Sequence, residues 1–281
     1  MATTSDGETG PASGVTRTAA WAAAVRAHET QRKDALYRDP WAAALAGHEG
    51  EAWLAARTDA AVLPMVLRTR YFDDWLERAV ADGIDQVVLL AAGLDTRAFR
   101  LDWPAGARCF EVDRAVVLDH KAAVLDAARA TARCRRTVVA ADLAGEWAEP
   151  LHSAGLDASR PSAWLAEGLL FYLPPAVIDR VLRAVGELAP PGSRLGFDIV
   201  NAAVLTSSWT KHWVEMQEAE GAPWLGTMED PVGSLARLGW RASLTAAGRP
   251  DANHGRWAMP VLPLTAADLP HSWLVTAVRD G

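Results

Sequence analysis

The chain has only two cysteines in 281 residues, Cys109 and Cys134, too few for a disulfide framework. Cys109 falls inside a predicted strand and reads as a buried apolar residue. An excess of basic charge is also missing: 28 Lys and Arg stand against 35 Asp and Glu, a formal net charge of −7. That balance argues against nucleic acid as the main partner, because phosphate binding needs a basic surface. The longest apolar runs are far too short to cross a bilayer, so no membrane association is expected. No basic stretch leads into a long apolar one at the start, and a cytoplasmic location is the expectation. The chain shows no internal repeat, no G-x-G-x-x-G and no Walker lysine.

Half of the residues are hydrophobic, enough for a large globular core. Residues 1–15 carry Gly, Ser, Thr and Ala without periodicity and read as a disordered tail. Residues 16–82 read as an N-terminal helical cap, with helices at Thr16–His28, from Trp41 to Ala46, and over Thr58–Ala81, where Pro64 lies near the first turns. Residues 83–200 alternate. Strands are predicted near Gln86–Leu90, Ala107–Glu111, Arg136–Ala140, Ser162–Ala166 and Arg194–Ile199. Helices are predicted at Arg114–Arg129, Glu146–Ala154 and Pro175–Leu188. This rhythm predicts a mostly parallel sheet with helices on both faces. Residues 201–238 read as helical and Trp-rich, and 239–281 as two closing strands, Trp240–Leu244 and Trp273–Val278, forming an antiparallel edge.

The most informative stretch is Val87-Val88-Leu89-Leu90-Ala91-Ala92-Gly93-Leu94-Asp95-Thr96-Arg97. An apolar strand ends there in a turn of small residues that lets a ligand approach the backbone. The next strand ends on Phe110-Glu111-Val112-Asp113. A strand, a small-residue turn, a helix and an acid at the tip of the next strand form a pattern that holds a nucleoside, the acid accepting from ribose hydroxyls. Every later predicted strand also ends near a carboxylate: Asp142, Glu167 and Asp198. In an open α/β sheet ligands bind beyond the carboxyl ends of the strands. An acid-lined rim there suits a ligand with hydroxyls, an amine and a positive centre, and suits a polyphosphate poorly.

With these motifs the chain resembles the leucine carboxyl methyltransferase-like branch of class I S-adenosylmethionine-dependent methyltransferases. The resemblance runs from about Thr16 to the C-terminus. It is carried by Thr18-Ala19-Ala20-Trp21, Leu36-Tyr37-Arg38-Asp39-Pro40, Arg68-Thr69-Arg70-Tyr71-Phe72-Asp73-Asp74, Ala92-Gly93-Leu94-Asp95-Thr96-Arg97, Phe110-Glu111-Val112-Asp113, Ala141-Asp142-Leu143 and Trp164-Leu165-Ala166-Glu167-Gly168-Leu169-Leu170-Phe171-Tyr172-Leu173. It implies a Rossmann-like seven-stranded sheet whose last strand is antiparallel, with an N-terminal helical cap and a helical insertion after the fifth strand. S-adenosyl-L-methionine is the implied cofactor, S-adenosyl-L-homocysteine its product, and no metal is implied. By the same resemblance Arg68 pairs with the cofactor's methionine carboxylate, a role that suits a guanidinium fork. Ala91 and Gly93 pass under its methionine part, Ala91 standing where the family has glycine. Asp113, with Glu111 as its neighbour, binds ribose. Asp142 and Leu143 flank adenine, and Glu167 faces the amino group or sulfonium. Asp142 also reads as a helix cap, and so does Asp95.

The implied reaction is an O-methylation by in-line displacement, which requires alignment and exclusion of water. A carboxylate acceptor is already ionised at neutral pH, whereas a phenol needs a base. His120, His212, His254 and Tyr172 are the candidates, and Tyr172 is also the best-placed contact for positioning an acceptor. Substrate contacts are expected from the N-terminal helices and from Trp209, Lys211, Trp213, Met216 and Trp224, with Arg17 and Arg26 as further cations for an acid. A small natural-product acceptor, polyketide-like or another apolar acid, is favoured over a protein C-terminus. Two rivals share the early strand–turn–helix pattern: an NAD(P)-dependent oxidoreductase, and a methyltransferase homologue that binds the cofactor without turnover.

Overall fold

The computed structural model describes residues 11–264, 266 and 268–281, with side chains from Arg17 onward. Residues 1–10 of the expected tail lie outside the described residues, and the first helix starts inside the tail's expected span, at Pro11. The chain opens with three helices: α1 (Pro11–Gln31), α2 (Ala42–Ala55) and α3 (Asp59–Ala81). The Thr58 side chain caps α3 by accepting from the Ala61 N–H. Pro64 lies in the second turn, within the helix, so the Ala60 carbonyl goes without its helical donor.

The alternating region follows as β1 (Gln86–Leu90), α4 (Arg97–Arg100), β2 (Arg108–Asp113), α5 (Ala115–Ala127), β3 (Arg135–Ala140), α6 (Ala148–Ser153), β4 (Ala163–Ala166), α7 (Pro175–Leu188) and β5 (Arg194–Val200). The expected helical segment over 201–238 consists of three helices, α8 (Ala202–Thr206), α9 (Lys211–Ala219) and α10 (Pro231–Ala236), rather than one run. The reason lies at 221–230, where the backbone turns outward from helical bonding. The N–H groups of Leu225 and Gly226 both donate to the Phe171 carbonyl, and that of Met228 to Val200. The chain closes with β6 (Trp240–Thr245) and β7 (Ser272–Arg279). No described helix is long and apolar enough to cross a membrane.

The strands form one seven-stranded sheet in the order β3-β2-β1-β4-β5-β7-β6. The first five pair in parallel, and β7 runs antiparallel to both β5 and β6. Alternation along β1 sends Val88 and Leu90 to one face and Val87 and Leu89 to the other. On the first face α7 packs with Ile178, Val181, Leu182 and Val185, the spacing of one helical stripe. On the second face α3 packs with Phe72, Trp75, Leu76 and Ala79, and residues of α1 and α2 join the same cluster. A methyl group at Gly196 of β5 would meet Trp75 at 3.1 Å and Phe72 at 3.3 Å, so the bare backbone there lets α3 lie close to the sheet. The order reverses between β1 and β4, which puts the switch point, and the crevice above it, at the carboxyl ends of these two strands.

Candidate functional site

A cavity opens at that switch point, between the strand ends and the N-terminal helices. Its floor is the turn after β1. Ala91 and Gly93 both adopt left-handed backbone conformations, with φ of 48° and 49°. Glycine takes this conformation freely, while alanine is strained in it. The Gly93 N–H donates to Asp113 Oδ2 at 2.7 Å, and the Arg114 N–H donates to Asp113 Oδ1 at 2.7 Å. The carboxylate is thereby locked at the tip of β2, facing the cavity. Burial still pushes its pKa above the ordinary value, outweighing the two backbone donors.

Behind the floor lies a network of buried charges. Arg68 on α3 donates from Nε to Glu167 Oε1 at 3.0 Å and from Nη1 to Asp198 Oδ2 at 2.8 Å. Arg97, 2% exposed, donates to Asp73 at 2.7 Å, to Asp95 at 2.5 Å and to Glu167 Oε2 at 2.7 Å. Arg100 completes it with two bonds to Asp73. Burial alone would lower Arg68 and Arg97 and raise Asp95. The paired charges win in each case, holding both arginines above their ordinary values and Asp95 down at about 2. Three guanidiniums thus meet four carboxylates, a surplus of one negative charge that favours a cationic group nearby. Gly168 has φ of 66°, which strains an L side chain, and a Cβ there would come within 3.1 Å of Arg68 Nη2.

The other half of the cavity is aromatic. Trp21 of α1 stacks on Trp53 of α2, centroids 5.0 Å apart and planes 8° from parallel. Phe171 lies 4.7 Å from Tyr172 and 4.8 Å from Trp224, and Trp213 and Met65 complete the wall. Arg57 lies over the Trp53 ring at 3.7 Å and donates to Glu220 at 2.7 Å. Glu220 also accepts from Trp53 Nε1, so the end of α9 is tied to the end of α2. Burial pushes the Tyr172 hydroxyl up to about 12, leaving it a neutral hydrogen-bonding group at neutral pH.

Of the residues expected at the site, Arg68, Ala91, Gly93, Asp113, Glu167, Tyr172 and Trp213 line this one cavity, with Arg26, Asp95 and Trp224 beside them. Others stand outside its lining. Glu111 is fully buried one strand repeat below Asp113, where Lys121 and Arg136 both lie 2.7 Å from its Oε2, so its carboxylate is committed to internal charge balance. Asp142 is exposed and accepts from the Ala144 N–H at 2.8 Å, closing the turn after β3. Leu143 is buried in the core. Trp209 is 69% exposed. Lys211 is exposed, 3.7 Å from Glu215 one helical turn on. Met216 packs against Arg57, and Arg17 pairs with Glu49 at the surface. His120 and His212 are exposed, and His254 sits 3.8 Å from Asp74. None of the three histidines lines the cavity.

The structure adds residues to which the sequence assigned no role. Arg97 and Thr69 brace Glu167, the latter through its hydroxyl at 3.2 Å. Trp53 and Gln217 line the aromatic half. Arg97 had a visible signal, a cation inside an acid-rich turn at the switch point. Trp53 and Gln217 had none, since they arrive from helices far apart in the chain.

The profile of the leucine carboxyl methyltransferase family matches residues 19–186. A Frankia alni protein, named by inference as an S-adenosyl-L-methionine-dependent methyltransferase, is 43% identical over 287 residues, covering 96% of each chain. A Streptomyces coelicolor protein named in the same way is 40% identical, covering 95% of this chain and 96% of its own. Among solved structures the fold is shared with a DUF574-family protein of Streptomyces avermitilis, with a TM-score of 0.60 at 18% identity over 92% of this chain and 96% of that one. A Thermobifida fusca protein, also assigned by inference to the methyltransferases, has a TM-score of 0.58 at 21% identity over 94% of each chain. The chain belongs to the leucine carboxyl methyltransferase family of S-adenosyl-L-methionine-dependent methyltransferases.

Proposed function

We propose that the protein methylates a carboxylate on a small apolar acceptor, using S-adenosyl-L-methionine. The residues fit this cofactor. Asp113 keeps acceptor capacity for ribose hydroxyls beyond its two backbone donors. Arg68, with Nε and Nη1 engaged, has Nη2 left for a carboxylate. The negative surplus around Glu167 suits an ammonium and a sulfonium. When bound, the cofactor supplies an activated methyl group on positively charged sulfur.

The rest falls to the chain. The floor of small residues and Arg68 orient one partner, the aromatic wall holds the other, and both exclude water. The observation that carries the choice of acceptor is that no unengaged base lines the cavity: among its described lining residues there is no histidine or lysine, Asp113 is held by two backbone N–H groups and Asp95 and Glu167 by arginines, and Tyr172 is pushed up to about 12. A carboxylate needs no deprotonation at neutral pH, whereas an alcohol or phenol does.

The test is incubation of the protein and S-adenosyl-L-methionine with matched apolar carboxylic acids and phenols, read by mass spectrometry. Methyl esters without aryl methyl ethers are expected. Ether products with no ester would overturn the choice of acceptor.

A further inference from the structure

The aromatic half of the cavity contains two buried polar atoms without a hydrogen-bond partner among the described residues, the donor Trp224 Nε1 and the acceptor Gln217 Oε1. Gln217 of α9 is 2% exposed and lines the cavity. Its Nε2 lies 3.3 Å from the Tyr172 hydroxyl oxygen and donates to it. Its Oε1 is buried and has no hydrogen-bond partner among the described residues. Buried polar atoms are nearly always paired, so an orphan in a cavity wall marks where a ligand atom belongs.

Two consequences follow from the geometry. With its oxygen accepting from Gln217, the Tyr172 O–H proton is left to donate. The Gln217 carbonyl beside it is left to accept. A donor and an acceptor side by side are both satisfied by one hydroxyl on a ligand, which accepts from Tyr172 and donates to Gln217. The surrounding walls are aromatic side chains, Phe171, Trp224, Trp213 and the Trp21–Trp53 stack, which suit a flat aromatic body. The tie from Arg57 to Glu220 fixes α9 against α2, so Gln217 is held in place before any ligand arrives.

We infer that the acceptor is an aromatic acid carrying a hydroxyl group, the ring lying in the tryptophan-lined box and the hydroxyl bonded between Tyr172 and Gln217. This inference rests on the carboxylate reading above and names the acceptor's class. The carboxylate oxygen forms the new bond to the methyl carbon, the bond from that carbon to sulfur breaks, and its electron pair stays on sulfur. No proton moves, and the hydroxyl at Gln217 is a recognition group that remains unmethylated.

The experiment is calorimetric titration of the protein, saturated with S-adenosylhomocysteine, with 2-naphthoic acid and with its 3- and 6-hydroxy derivatives. At least one hydroxy acid is expected to bind about tenfold or more tightly than the parent, because a site built to bond a hydroxyl disfavours the analogue that lacks it. That preference is expected to vanish in Gln217→Met. Should this variant fail to melt cooperatively, Tyr172→Phe supplies the second comparison and is expected to reduce the same preference. Equal binding of parent and hydroxy acids, or a preference that survives both substitutions, overturns the inference. If S-adenosylhomocysteine binds and no naphthoic acid does, the inference falls while the methyltransferase assignment stands. If S-adenosylhomocysteine itself does not bind, the reading on which the inference rests has failed first.

Discussion

Arg97 Nη2 and Glu167 Oε2 lie 2.7 Å apart and join the turn after β1 to the end of β4. The contact spans the switch point, so the two strand ends that flank the cavity are fixed to each other through a buried ion pair. The remaining guanidinium nitrogens of Arg97 hold Asp73 and Asp95.

Replacing Arg97 by Met keeps an unbranched stem but removes the guanidinium, and leaves Asp95 and one oxygen each of Asp73 and Glu167 without this cation. Removing one partner of a buried pair costs about 3–5 kcal/mol. Urea unfolding of Arg97→Met should show a loss in that range. A loss under about 1 kcal/mol would mean that water or other groups take over the pairing, against the burial described here.

Ala91 holds φ of 48° at a position where glycine would be unstrained. Left-handed backbone costs an L-residue about 1–2 kcal/mol, partly offset by glycine's greater freedom in the unfolded chain. Ala91→Gly is therefore expected to raise the melting temperature by a few degrees without weakening cofactor binding. A lower melting temperature would show that the alanine methyl contributes packing that outweighs its strain.

Asp95 is held at about 2 in the folded protein against an ordinary 3.8, because Arg97 outweighs burial. The folded state then binds this proton less readily than the unfolded state. Its stabilising contribution is full above about pH 4 and is lost as pH falls through about 2. Denaturation of the wild type and of Asp95→Asn should differ by about 2 kcal/mol near pH 6, and the gap should close toward pH 2. A gap independent of pH would contradict the assignment of the ionised form.

The sheet was legible because its strands are short apolar runs punctuated by small or acidic residues. Gln86–Leu90 and Pro175–Leu188 match the expectation residue for residue, and the other central strands match within one or two residues. The segment 201–238 is helical as expected in α8, α9 and α10, but its break at 221–230 was not legible, since it depends on the Phe171 carbonyl, which captures two backbone N–H groups from a distant part of the chain. The site shows the same division. Arg68, Gly93, Asp113 and Glu167 announce themselves through local motifs and meet in the cavity. Glu111 shares the motif, yet Lys121 and Arg136 claim its carboxylate, and no local pattern reveals partners that arrive from another helix and strand. Trp209 and Lys211 follow the Trp-rich composition of their segment, but the turn leading into α9 points them outward.

The central claim is that the crevice above β1, β2 and β4 holds S-adenosyl-L-methionine through Asp113 and its neighbours. Calorimetric titration of S-adenosyl-L-methionine and S-adenosyl-L-homocysteine into the wild type and into Asp113→Ala tests it directly. The wild type should bind both. Asp113→Ala, still melting cooperatively, should bind each roughly 10- to 100-fold more weakly, the loss of hydrogen bonds to a charged acceptor. No binding of either ligand to the wild type, or undiminished binding to the folded variant, would contradict the account.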